Sequence, residues 1–380
     1  MISLFFLSFL LLTVLWNRYY AAHWNRSLAV TLNLLQDFVY AGEQAKMTEQ
    51  IENRKRLALP VLEVSFHVDK RLAFHDCENT NVSDFTYKRD IFALLGYQRV
   101  TRQLTLDCTH RGYYRIDQSY LASFSLLHHR RYSVDVPADA QLYVYAARTN
   151  VTDILLTFER LMGSVQCSKR LLEDPFAYAS IREYTITDPM KTINWKASAR
   201  TGDLMVNTFE STHTEKVLLI LDVEDSGILK YEYLTEEAVC VAASLAQKMI
   251  LRGMDVGLCT NIADASGANA GCTTYTYLAP ANGKKHLTDI ERLLARHRLG
   301  TKVLPLPTIL DTFAGQSMDQ TKDAVVIFIS KNAVLNHTAI ETFIGRQRQA
   351  VWVVPYPHNE PCLIRTSDNI RLILREVNDV

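Results

Sequence analysis

Lys216-Val-Leu-Leu-Ile-Leu-Asp222 is a continuous apolar run closed by a carboxylate. A strand with one wet face alternates apolar and polar residues, so a run with no polar position needs cover on both faces, as a central parallel strand has. Downstream, Ala238, Val241, Ala242, Leu245 and Met249 recur at helical spacing between Tyr231 and Arg252. Gly253 closes that helix, and the following DVGLCT supplies a second strand, so β-α-β order with a right-handed crossover is expected. TTYTYL at 273–278 reads as a short edge strand and HLTDIERLLARH at 286–297 as a helix. AVVIFIS at 324–330 reads as another buried strand, 338–344 as part of a helix and AVWVVPY at 350–356 as a strand. Residues 216–380 are therefore expected to form a doubly wound α/β domain, with ligands meeting the carboxyl ends of its strands, after Leu221, Cys259 and Ile329.

Upstream the pattern changes. Between 27 and 147, short β-favouring segments are separated by turn-prone clusters such as Ala41-Gly42-Glu43. In the segment 62–68, Leu62, Val64, Phe66 and Val68 alternate with Glu63, Ser65 and His67, which predicts a half-buried antiparallel strand. A small immunoglobulin-like β-sandwich is the economical architecture. Residues 148–215 read as a linker dense in Arg, Asp, Asn, Trp and Lys.

At the amino terminus, residues 2–16 carry no charge, and Asn17-Arg18-Tyr19-Tyr20 follows. No Lys or Arg precedes the apolar run, which favours an uncleaved membrane anchor over residues 1–22 rather than a signal peptide. Arg18 and Arg26 follow the run, so the positive-inside rule puts the rest of the chain in the cytoplasm, as a single-pass protein of the cell membrane contacting lipid through residues 2–16.

Lys plus Arg total 41 and Asp plus Glu total 41, so no global field draws the chain to nucleic acid. Seven cysteines without a CxxC pair suit a reducing compartment. No GxGxxG, P-loop, GxSxG or HExxH motif occurs, and the glycine-rich stretch 267–271 lacks a phosphate-binding Lys at the required spacing. Asp222 and Glu224 could serve a hydrolase only if one carboxyl had a raised pKa, which sequence does not supply. The expectation is a protein that is not an enzyme.

Asp222-Val-Glu224-Asp-Ser226 follows the first strand of the α/β region, and it resembles the opening of a von Willebrand factor A domain, whose strand ends in Asp-x-Ser-x-Ser and holds Mg²⁺. Here Asp222 and Ser226 occupy the outer positions and Glu224 replaces the first serine. After AVVIFI, where the family places an Asp, this chain has Ser330-Lys331-Asn332. Octahedral Mg²⁺ needs six oxygens, so Asp222, Glu224 and Ser226 are read as a degenerate, hydrogen-bonded remnant of a metal loop, and no cofactor is expected.

Arg182, Tyr184, Asp188, Pro189, Ile193, Asn194, Trp195, Lys196, Ser198, Ala199 and Arg200 resemble the signature of the domain-of-unknown-function 58 family. An Arg-Gly-Tyr-Tyr element at 111–114 and the A-like module fit that family in order. The resemblance implies a membrane-attached adaptor or scaffold with no established enzymatic activity, working with a MoxR-type AAA+ ATPase. In that role Trp195 is an anchor, and Arg182, Lys196 and Arg200 supply charge-assisted bonds to an acidic partner. The competing structural role packs Trp195 beneath the sheet and pairs Asp188 with an arginine to brace the domains. A second function class is a metal-dependent ligand-binding or adhesion protein outside the membrane.

Overall fold

The apolar N-terminal run forms α1 (Ile2–His23) in the computed structural model, but among the described residues no helix is long and apolar enough to cross a membrane. The expected spanning helix is corrected, and the reason is length and anchoring. Fifteen uncharged residues at 1.5 Å each cover about 22 Å of a hydrocarbon layer, against a thickness of about 30 Å. The second half of the helix carries Asn17 and Arg18, and Tyr20 and Trp24 at its end are buried in the core of the β-rich region.

The structure describes residues 2–76, 79–125, 130–169, 178–185, 188, 190–209, 215–225, 230–262, 275–297, 303–317, 324–345, 349–358, 364 and 366–378. Ser226, Pro189 and the glycine-rich stretch 267–271 lie outside them. The described residues are richer in strand than in helix, and both six-stranded sheets mix parallel and antiparallel pairings, which corrects the expected fold class. The chain divides into two compact units, one built mainly from the first 148 residues and one from most of the remainder.

The first unit contains β1 (Leu28–Leu34), β2 (Phe38–Tyr40), β3 (Glu43–Asn53), β4 (Leu59–Asp69), β5 (Leu72–Phe74), β6 (Thr80–Val82), β7 (Phe85–Leu94), β8 (Arg99–Cys108), β9 (Gly112–Phe124) and β10 (Arg131–Tyr145). They form a four-stranded sheet in the order β1-β3-β8-β5 and a six-stranded sheet in the order β2-β10-β9-β4-β7-β6. All pairings are antiparallel except β2 with β10.

On β4, Leu62, Val64, Phe66 and Val68 are buried, but so is Glu63, on the face expected to be wet. Two arginines cover it: Arg89 Nε lies 2.7 Å and Arg131 Nη2 2.8 Å from Glu63 Oε1. The buried apolar residues fall into two clusters. One holds Met47, Phe66, Phe74 and Leu104; the other holds Ile51, Leu62, Val64 and Leu121, with Val100 packed against it. Between Met47 and Ile51 on β3 stands Glu49, and between Leu104 and Val100 on β8 stands Arg102, its direct cross-strand partner. A charged layer thus interrupts the apolar core.

Gly96 sits so close to the backbone at Arg56 that a Cβ there would lie 2.5 Å from the Arg56 carbonyl oxygen. The contact is backbone and cannot rotate away. Gly96→Ala is therefore expected to lower stability by about 1–3 kcal/mol, read as a lower urea midpoint with an unchanged m-value; an unaltered midpoint would show that this backbone yields freely.

The second unit begins with α2 (Thr152–Lys169), a helix where a linker is expected. It forms because Ile154, Leu155, Phe158 and Leu161 recur at helical spacing and are buried. A two-stranded antiparallel sheet follows, β11 (Tyr178–Glu183) with β12 (Met205–Phe209), connected through a 3₁₀ turn (Met190–Thr192) and the short helix α3 (Trp195–Thr201).

The rest of the unit comprises β13 (Lys216–Leu221), α4 (Glu232–Leu251), β14 (Asp255–Thr260), β15 (Thr276–Ala281), α5 (Lys284–Arg296), α6 (Leu306–Ser317), β16 (Val325–Ile329), α7 (Ala333–Ile344), β17 (Ala350–Pro357) and β18 (Ile370–Val377), though the last residues of α5 cluster with the first unit. The sheet order is β15-β14-β13-β16-β17-β18, parallel except that β15 runs antiparallel to β14. Val217 to Leu221 are buried, with neighbours on both sides. Residues of α6 and α7 join one apolar cluster with β16 and β17, while Ala238, Val239, Val241, Ala242, Leu245 and Ala246 of α4 are buried as well. At the far edge, Arg375 of β18 donates Nε to Glu237 Oε1 at 2.6 Å and Nη1 to the Asn150 carbonyl at 2.7 Å.

Candidate functional site

β13 ends at the centre of its sheet, and the next residue, Asp222, is 1% exposed. A carboxylate there must find donors or a cation. It finds donors. Its Oδ1 accepts from Asn261 Nδ2 at 2.8 Å and from the Glu224 N–H at 2.9 Å. Its Oδ2 accepts from Asn336 Nδ2 at 2.7 Å and from Ser330 Oγ at 2.8 Å, with Asn332 Nδ2 at 3.5 Å. The donors come from residues after β14, after β16 and in α7, so three chain segments converge on one carboxylate.

The amides are fixed in the donating sense. Asn261 Oδ1 accepts from the Val223 N–H at 2.8 Å, leaving its amide nitrogen to face Asp222. Asn332 Nδ2 donates to the Glu224 carbonyl at 2.8 Å. The adjoining Lys331 ammonium, itself nearly buried, lies 2.8 Å from Asp225 Oδ1. A hard cation needs oxygens turned toward it, whereas amide N–H groups and a hydroxyl already occupy the acceptor directions of Asp222. The described residues around Asp222 do not fit Mg²⁺. Glu224 is half-buried beside this cluster, and Ser226 lies outside the described residues.

The signature segment gathers around α3. Arg182 grips Asp188 with both guanidinium nitrogens, Nη1 to Oδ2 at 2.7 Å and Nη2 to Oδ1 at 2.6 Å. Thr185 adds its hydroxyl at 2.7 Å and its N–H at 2.9 Å. The Arg182 pair, reinforced by the two Thr185 bonds, holds the Asp188 carboxyl well below the usual carboxylate range. Asn194 caps α3, accepting from the Ala197 N–H at 3.0 Å, and its Nδ2 donates to Asn207 Oδ1 at 2.7 Å. Ser198 Oγ accepts from the Met205 N–H at 2.8 Å, tying the helix to β12. The Tyr184 N–H donates to the Leu204 carbonyl at 2.8 Å, and Gly202, at φ 86°, ends the helix in the left-handed conformation.

α3 is pinned at both ends, yet none of its residues is buried. Trp195 is 67% exposed, and Lys196 and Arg200 are exposed one turn apart on the same side of the helix. The expectation that Trp195 packs beneath the sheet is corrected: a seven-residue helix held by caps has no need of its aromatic residue for cover. Asp188 pairs within its own segment, six residues from Arg182.

Residues 180–336 match the family described as Protein of unknown function DUF58. That stretch runs from β11 through the start of α7 and contains both α3 and the Asp222 cluster. The uncharacterized protein YeaD of Bacillus subtilis is 32% identical over 80 residues, which are 21% of this chain and 19% of that protein. Among solved structures, a non-cellulosomal cohesin from Archaeoglobus fulgidus aligns at 11% identity with a TM-score of 0.22, over 31% of this chain and 91% of its own. A CARDB domain from Pyrococcus furiosus, solved in complex with di-metal ions, aligns at 14% identity with a TM-score of 0.19, over 30% of this chain and 90% of its own. Neither likeness bears on function.

Asn261 and Asn336 are the site residues that sequence reasoning did not name. Asn336 follows Asn332 by four positions, which puts both on one face at the start of α7. That spacing was the available signal.

Proposed function

We propose that this protein is a non-enzymatic binding module that docks an acidic surface of a partner protein on α3 of its DUF58 segment. The exposure of Trp195 on a helix that buries nothing, yet is capped and tethered, carries this reading. A rigid aromatic anchor loses little entropy on binding, and Lys196 and Arg200 beside it complement acidic groups. The resemblance to a family that works with MoxR-type AAA+ ATPases makes that class the first partner to test. The alternative of a metal-dependent ligand-binding protein has less support, because amide and hydroxyl donors already face the Asp222 carboxylate.

Trp195→Ala is expected to weaken binding of a purified MoxR-type ATPase from the same cell by at least about tenfold, measured by surface plasmon resonance against the unmodified chain. Lys196→Glu with Arg200→Glu is expected to slow association and flatten its salt dependence. An ATPase that binds the Trp195→Ala and unmodified chains equally well would rule out α3 as the docking face.

A further inference from the structure

A cavity of about 610 Å³ opens in the first unit where α1 meets the β-sandwich. Its apolar lining includes Trp16 and Tyr20 from the helix and Leu57, Val61 and Phe124 from the sandwich. Its volume and lining are those of small-molecule sites, which are mostly apolar and carry a few placed polar groups.

The walls are fixed. Tyr20 is buried, its hydroxyl 2.6 Å from Ser123 Oγ, and Ser123 Oγ donates to the Val61 carbonyl at 2.8 Å, so helix and wall are bonded through one chain of hydroxyls. Ser125 Oγ is engaged by the Arg130 N–H at 3.2 Å. The close approach of Gly96 sets the backbone at Arg56.

Arg56 is the one charged residue of the lining among the described residues, and its side chain is exposed. Lys55, one residue earlier in the chain, has a buried ammonium with no hydrogen-bond partner among the described residues. The exposed Arg56 side chain therefore sets a cation beside the apolar lining. On α1, Leu12, Trp16 and Tyr20 form one row at four-residue spacing, and Leu12 is 67% exposed, so the apolar lining continues out of the cavity along the helix. A ligand matching this arrangement has a flexible apolar tail and a single anionic head.

We infer that this cavity binds the alkyl chain of an anionic single-chain amphiphile of the fatty-acid type, with Arg56 holding the head group. The Tyr20 and Ser125 hydroxyls of the lining are spent on the protein itself, so the guanidinium selects charge and the aromatic walls select the chain.

The test titrates the full chain with laurate, below its critical micelle concentration, and with 1-dodecanol as the uncharged twin. Saturable one-site laurate binding is expected. Ala58→Trp, which fills the cavity, is expected to abolish binding of both ligands. Arg56→Gln, at an exposed position that keeps the fold, is expected to weaken laurate by at least about tenfold while leaving dodecanol within about twofold. In a separate location readout, 11-bromoundecanoate quenches tryptophan emission, and Trp16→Phe removes that quenching without removing binding. The inference is overturned by absence of saturable laurate binding, by binding that Ala58→Trp leaves intact, or by equal effects of Arg56→Gln on both ligands. Association seen only with vesicles of anionic phospholipid, and not with monomeric laurate, also overturns it.

Discussion

Asp222→Ala is expected to destabilise the protein by about 3–5 kcal/mol. The carboxylate is the common acceptor for two asparagine amides, a serine hydroxyl and a backbone N–H, all within 3.0 Å. Removing it orphans those donors in a place water does not reach, and each orphan costs the desolvation of its group. The carboxylate follows β13 and ties it to the segments after β14 and β16 and to α7, so the damage falls on the centre of the sheet. Urea unfolding reads the loss directly. A metal-holding role predicts a different result: Mg²⁺ would raise the melting temperature of the unmodified chain, and Asp222→Ala would cancel that rise while leaving metal-free stability within about 1 kcal/mol. Finding that pattern would sink the hydrogen-bonded reading and restore the cation.

Which parts of this fold could be read from sequence follows from what each element buries. β13 is legible because a run without a polar position has to be covered on both faces, and β14 and β16 cover it. β18 is not, because Arg371, Arg375 and Glu376 interleave its apolar residues, as an edge strand permits. α2 carries a readable helical stripe inside the supposed linker. α3 carries none, since it buries nothing, and its existence rests on Asn194 and Gly202 at its ends. The same fact explains the error over Trp195: hydrophobicity argues for cover, but a helix made by capping offers no interior. α1 is legible as a helix and illegible as to its surroundings, because the burial of Tyr20 and Trp24 depends on strands far along the chain. At Asp222 the position could be foreseen from the end of a central strand, whereas of its neutral partners only Asn336, four residues after Asn332, left a spacing to read. Asparagine has no charge to advertise a pairing, and these donors gather only once the sheet is ordered.

Glu49→Gln is expected to abolish a pH dependence of stability built into the sandwich. On β3, Ala45, Met47, Glu49 and Ile51 all point inward, so the alternation itself places a carboxyl in the core. Glu49 is 1% exposed, and neither of its oxygens has a hydrogen-bond partner among the described residues. Burial, then the negative charge of Asp90, push its pKa up from 4.5 to about 7, against the opposing pull of Arg102 and Lys88. The sign follows from proton counting. Between these two values the folded chain keeps a proton that the unfolded chain has released, so stability is greatest at or below pH 4.5 as far as this group is concerned and falls as pH rises to about 7. At 1.36 kcal/mol per unit the loss across that window is about 3 kcal/mol. Glutamine keeps the shape without the charge, so the variant should nearly match the unmodified chain at pH 4.5–5 and exceed it by up to about 3 kcal/mol at pH 8. Arg102→Gln removes the cation that faces Glu49 across the β3–β8 ladder, and it should carry the upper end of the window above 7. Urea midpoints collected every half unit from pH 5 to pH 8 decide the matter. Parallel profiles for the unmodified and Glu49→Gln chains would mean that Glu49 is ionised in the fold throughout, held by Arg102 and Lys88, and the charged layer would then be a fixed ion cluster rather than a titrating one.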